Sequence, residues 1–167
     1  LFNMPCSWTH GGGPWFKHAI ECPDQLRQRV AFALSQIFVI SNNGQTRYYY
    51  STFHDLLARH AFRNFRDLLG EAMRSPLMND YLNVVNSTKA DPEMGTFPNE
   101  DFARELMQLF TIGLMELNAD GTPVLDDEGE PVPTYGEHDV AEVARALTGR
   151  RLTGQGWGMN HWFLNSM

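Results

Sequence analysis

The sequence predicts a mainly α, single-domain fold of about six or seven helices, with one β-hairpin near residues 122–134. Apolar residues recur at three- and four-residue spacing in successive segments, and turn clusters separate those segments. The 167 residues, 43% apolar and 20% charged, suit one soluble domain with a single core. Short, proline-punctuated extended runs occur in one place, between Thr122 and Thr134.

Taken in order, residues 1–13 read as a loop-like end, with Gly11-Gly12-Gly13 closing it. The glycine triplet is no phosphate cradle, because no strand precedes it and no Lys-Ser or Lys-Thr follows. A short helix is expected over Trp15–Glu21 and a long one over Asp24–Ile40. Leu26, Val30, Ala33, Leu34, Ile37 and Phe38 share a face of the long helix, whose apolar last turns mark it as central. The turn Ser41-Asn42-Asn43-Gly44 leads to a helix over Arg47–Ala61 with Phe53, Leu56 and Leu57 inward. Asn64 is a cap for the next helix, which turns Phe65, Leu68, Leu69 and Met73 inward. Pro76 opens a further helix through Leu82, and residues 84–97 read as irregular.

The most informative stretch runs from Phe97 to Leu117. Pro98 suits a first helical turn, and Glu100 and Asp101 complement the helix dipole. Phe102, Leu106, Leu109 and Phe110 form the inward stripe of a helix over 99–112, which Gly113 ends. Thr122–Leu125 and Glu130–Thr134 make the hairpin, with Pro131 and Pro133 confining it to edge pairing. A last helix spans Glu137–Leu147, with Val140, Val143, Ala144 and Leu147 inward and Gly149 ending it. Residues 151–167 read as a second loop-like end.

Charge and composition exclude several classes. A net charge of −7 with thinly spread basic residues argues against a nucleic-acid binder. The most apolar run, Val30–Ile40, is far too short to span a bilayer, and no secretion signal stands in the chain. Cys6 and Cys22, the two cysteines, match no zinc spacing, and whether they pair stays open.

Five blocks in this order resemble the large bacterial family called domain of unknown function 1800. They are Pro23–Ser41, Arg59–Leu69, Asn99–Gly113, Asn118–Thr122 and Asp139–Gly149, within a family-like core of residues 14–150. The chain departs from the family pattern at Phe102 (usually Tyr), at Arg150 (usually Trp) and at Gly136 (usually a Thr cap). The resemblance implies the helical fold and a fragment of a longer exported protein, periplasmic or extracellular. It implies no activity and no cofactor.

The candidate chemistry centres on Glu100, Arg104 and Glu105. Glu100, Arg104 and Gln108 stack at four-residue spacing, either as a solvated ion-pair face or as a site where Arg104 holds an anion and a carboxylate serves as acid, base or ligand. Arg29 and Arg104 sit within apolar helices. At least one of them is expected to be mostly buried and bonded to a carboxylate of another helix, in a polar core network of Arg29, Asp67, Arg104 and Glu105. No metal site is predicted. His54 and His60 are weak candidates, six residues apart and on different helix faces, and a histidine packed beside Tyr48–Tyr50 is the plainer reading. The acids Asp120, Asp126, Asp127, Glu128 and Glu130 read as turn formers rather than a calcium loop. Two functions remain: an exported binding or assembly module with a protein partner, or an enzyme with an Arg–carboxylate site, metal-assisted or not, on the 99–112 helix.

Overall fold

The computed structural model describes residues 21–41, 47–153 and 163–165. The described residues are mainly α-helical. Six helices are present among them: α1 Gln25–Ser35, α2 Arg47–His60, α3 Phe65–Ala72, α4 Pro76–Tyr81, α5 Asp101–Gln108 and α6 Glu137–Ala146. The chain divides into two compact units, residues 1–81 and 82–167. The two helices expected at one centre, 24–40 and 99–112, fall one in each unit. The expected Trp15–Glu21 helix and Ser41–Gly44 turn lie, apart from Glu21 and Ser41, outside the described residues.

In the first unit, α2 packs against α1, α3 and α4. Six consecutive residues of α2, Phe53 to Ala58, are buried, so this helix is covered all round. The sequence expectation that 24–40 is the central helix is therefore corrected. α1 stops at Ser35, whose hydroxyl bonds back to the Phe32 carbonyl at 2.7 Å, and two tight turns follow. The next residues include β-branched Ile37, Val39 and Ile40, which gain little from helix. Leu26 is 70% exposed and Ala33 is also exposed, while Gln28, Ala31 and the post-helical Phe38 are buried.

Arg27 ties α1 to the end of α2. Its Nη1 donates to the Ala58 carbonyl at 2.9 Å, and its guanidinium lies 5.0 Å from the Phe62 ring centre. Ala58 holds one of the last four carbonyls of α2, which a helix leaves for outside donors. Asn64 caps α3 as expected, its Oδ1 accepting the Arg66 N–H at 2.8 Å. Leu68 and Ala72 are buried beneath α3, whereas Phe65 is largely exposed, its ring 5.8 Å from that of Phe38. The fully buried Asn79 fastens the α3–α4 turn, donating from Nδ2 to the carbonyls of Met73 and Ser75, each at 2.7 Å.

In the second unit, α5 packs on α6. Phe102, Ala103 and Met107 of α5, Phe110 beyond it, and Val140, Ala144 and Leu147 are buried. The 99–112 helix is shorter than expected at both ends. Asn99 Oδ1 takes the Asp101 N–H at 3.0 Å, which makes 99 the turn before the helix, and Asn83 Nδ2 bonds the Asp101 carboxylate at 2.8 Å. At the other end the Thr111 hydroxyl binds the Leu106 carbonyl, and Gly113, at φ 76°, turns its N–H back to Met107. Leaving helical phase at Gln108 sends Leu109 to the surface, 56% exposed, against expectation.

The hairpin expected over 122–134 forms through isolated bridges rather than full strands, and a third segment joins it. Met115 pairs with Pro133, Leu117 with Pro123 and Leu125 with Pro131. The N–H of Glu116 bonds the Val132 carbonyl, that of Val132 the Val124 carbonyl, and that of Val124 the Glu116 carbonyl, each at 2.9 Å. Three eight-residue-spaced positions thus close a ring of backbone bonds. Each bridge contains a proline, which cannot donate, so none extends into a ladder. Arg151–Thr153 pairs antiparallel with Phe163–Asn165, a short ladder where a loop-like end was expected.

Asn79→Asp would set a carboxylate against two carbonyls in place of the amide that donates to both. Urea unfolding is expected to show a loss on the order of 1–3 kcal/mol, the cost of unmade buried hydrogen bonds. An unchanged midpoint would show that the turn does not depend on this amide.

Candidate functional site

Arg104 projects from the middle of α5, and α6 brings Glu137 to it at its own first turn. Nη1 and Nη2 of Arg104 reach Oε1 and Oε2 of Glu137 at 3.1 and 2.5 Å, a two-pronged pairing. Nη2 also donates to Glu100 Oε2 at 2.9 Å, one helical turn back. Hydrogen bonds to Glu137 and then Glu100 raise the Arg104 pKa, and the bond from Arg104 lowers that of Glu137. The guanidinium side chain is 40% exposed and that of Glu137 81% exposed, so the triad lies on the surface. The expected carboxylate from another helix is present, but its owner is Glu137 and the arginine is not mostly buried.

The other residues of the expected polar core network scatter. Arg29 and Asp67 are exposed in the first unit; Arg104 and Glu105 are half-buried in the second. Exposure removes the first two from any core, because a guanidinium or carboxylate keeps its hydration more cheaply than it is buried. Glu105 keeps one notable feature: its Oε2 is buried with no hydrogen-bond partner among the described residues. Arg150 and Phe102, two positions at which the family pattern is broken, meet in the second unit, with the guanidinium 5.7 Å from the ring centre.

His54 and His60 lie on α2, both buried. The His54 ring stacks at 4.7 Å on Tyr50, one turn earlier, and Asp55 is buried beside it. Burial holds the His54 imidazole below its usual pKa, and the Asp55 carboxylate opposes part of that shift. His60 Nε2 lies 3.1 Å from Glu71 Oε1, while Glu71 Oε2 lies 3.6 Å from Arg59. Among the described residues no three His, Cys, Asp or Glu side chains gather as metal ligands. The hairpin acids are occupied locally. Asp120 Oδ1 takes both the N–H and hydroxyl of Thr122, which lowers its pKa, and Asp126 Oδ1 takes the N–H of Glu128 and Glu130. Cys22 is disulfide-bonded; Cys6, the other cysteine, lies outside the described residues.

Sequence reading missed a concavity of about 510 Å³ on the first unit, where His60 adjoins Arg63, Arg66, Glu71 and Arg74. A signal for it existed. Arg66 and Gly70 are four residues apart, which places them on one face of α3, opposite Leu68 and Ala72, and Arg74 follows four residues later in the turn that ends the helix.

Because the folded pKa of His54 is lowered, the unfolded chain binds a proton first as pH falls. Stability is therefore full above the unfolded value of about 6.5 and declines as pH drops below it toward the folded value. Thermal melts from neutral to mildly acidic pH should show Tm falling, and His54→Gln should flatten that slope; an equal slope in the variant would assign it elsewhere. Arg104→Gln should leave the fold intact, with a small Tm loss that shrinks in high salt, as for an exposed ion pair. A large, salt-independent loss would contradict the surface placement.

No helix of the described residues is long and apolar enough to cross a membrane. No curated protein and no solved structure matches the chain. The family described as Protein of unknown function (DUF1800) matches residues 10–165, most of the sequence. With the helical fold and the five sequence blocks in order, that match places the chain in the DUF1800 family.

Proposed function

We propose that this domain is an exported binding or assembly module that engages a protein partner. The observation that carries the reading is the run of large apolar side chains left exposed along the first unit. Leu26, Phe32, Ile37 and Val39 stand out within fourteen residues on and after α1. Large apolar side chains exposed this close together in the chain are costly in water unless another surface covers them. The disulfide at Cys22 supports an address outside the reducing cytosol, periplasmic or extracellular.

The alternative, an enzyme using Arg104 with Glu100 or Glu105, draws support from one observation, the buried Oε2 of Glu105, unpartnered among the described residues. Against it stands the engagement of Arg104, whose charge two carboxylates already compensate. An anionic substrate would have to displace one of them.

A photo-reactive residue at Phe32 is expected to give a discrete cross-linked product with one exported protein of the native host. The same group at Glu128, on an exposed turn, should give none. Absence of the Phe32 product, together with one tightly held equivalent of a transition metal by elemental analysis, would reverse the order of the two readings.

A further inference from the structure

We propose that the concavity between the end of α2 and the outer face of α3 is a docking site for an acidic peptide segment of a partner protein. This rests on the reading of the domain as a protein-binding module and names the chemistry of one contact.

The argument starts with charge. The chain carries 13 basic and 20 acidic residues, a net −7. Residues 59–74 reverse that sign: Arg59, Arg63, Arg66 and Arg74 face Asp67 and Glu71, a local net of +2 (four minus two). Three of those arginines, Arg63, Arg66 and Arg74, line the concavity together with Asp67 and Glu71, which leaves the lining itself at +1 (three minus two). An isolated positive region on an acidic protein attracts anionic partners while the rest of the surface repels them.

Local structure then decides which charges are available. Glu71 lies 3.1 Å from His60 Nε2 and pairs with Arg59 at 3.6 Å, so Asp67 is the acid of the lining that an anionic ligand meets beside the arginines. His60 is buried and forms a wall rather than a mobile group. Arg74 is steadied by its Nη1 bond to the Gly70 carbonyl at 3.0 Å, which leaves Nη2 and Nε for a ligand. The Arg66 side chain makes no hydrogen bond or ion pair among the described residues; its backbone N–H is the group bound by Asn64. Arg66 on α3 and Arg74 in the turn that ends it, one uncommitted and one steadied, form a fork for carboxylates, and guanidinium matches that planar geometry in a way an ammonium does not.

Size and lining favour a peptide over a small ion. About 510 Å³ exceeds what a single inorganic anion fills, and Leu69 and Met73 supply apolar contact beside the arginines. An extended segment alternating Glu with Leu offers both chemistries at once. The concavity offers no exposed aromatic platform on which bases could stack, unlike single-strand nucleic-acid sites.

The test uses the full chain and four probes by calorimetry: a nine-residue peptide alternating Glu and Leu, the same peptide with Gln for Glu, inorganic phosphate, and a single-stranded oligonucleotide. The acidic peptide is expected to bind at least tenfold more tightly than the Gln peptide and to weaken as salt rises. Arg66→Gln should weaken it by about tenfold, the scale of one charge-assisted hydrogen bond, with further loss in Arg66→Gln/Arg74→Gln. Arg66→Lys should recover part of the affinity, and unchanged melting of each variant would exclude unfolding. Equal binding of both peptides, unchanged binding to the double variant, or binding of phosphate or oligonucleotide alone would overturn the proposal. If the Phe32 cross-link persists in the double variant while the acidic peptide fails to bind wild type, the module reading stands and only this site falls.

Discussion

The first unit depends on burying α2 over Phe53–Ala58 while four buried residues of that helix, Ser51, His54, Asp55 and His60, carry polar or ionisable groups. Phe53, Leu56 and Leu57 supply the apolar surface, but His54, Asp55 and His60 go inside with them. A buried polar group left unmet costs stability, and while His60 Nε2 meets a carboxylate, its Nδ1 has no hydrogen-bond partner among the described residues. His54 rests on Tyr50, and His60 reaches out to Glu71 of α3. The carbonyls at the end of α2 impose the same demand, and Arg27 answers it from α1 through Ala58. The neighbouring helices are thus fixed to α2 by polar bonds at its end as well as by apolar packing along its length.

That arrangement explains how the first unit presents its surface. Glu71 lies 3.1 Å from His60 and 3.6 Å from Arg59, the two residues that close α2, and the Arg59 cation is favourably placed at the negative end of a helix dipole. With Glu71 paired to Arg59, α3 and the turn after it carry Arg66 and Arg74 against Asp67. The basic concavity follows from how α2 ends, and Asn64 sets where α3 begins. In the second unit the comparable join is Arg104 with Glu137, which links α5 to α6 across the bridged segments of 114–134.

Helix existence was legible from the sequence almost throughout, because caps and breakers act locally. Asn64, Pro76 and Gly113 sit where they were expected to act, and α2, α3, α4 and α6 lie within a residue or two of their predicted spans. Which helix lies at the centre of the first unit was not legible. The 24–40 segment carries the more continuous apolar run, yet α2 is the buried one despite His54, Asp55 and His60. Periodicity reports how apolar a face is, not how many neighbours will cover it, and polar residues satisfied inside a fold look like surface residues in a sequence. The partner of Arg104 was hidden for another reason. Glu137 lies 33 residues away, beyond three bridged segments, so no local spacing announces it. Glu100, at four residues, was visible for the opposite reason.

The same distinction separates the two candidate sites. A charged helix face draws attention because its residues cluster in sequence, but clustering also lets them neutralise one another, and Arg104 with Glu100 and Glu137 does so. The arginines of residues 59–74 are spaced along a turn and a helix; of their two acids, Glu71 pairs with Arg59 of α2 and Asp67 stays in the lining of the concavity. The arginines' remaining charge is left facing solvent in a concave setting. A site needs unspent interactions more than it needs dense ones. By that measure the first unit, with its exposed apolar run and its basic concavity, has more to offer a partner than the charged face of α5. Both features lie on surface that forms because α2 takes the interior, which makes the burial of that helix the condition for binding as well as for folding.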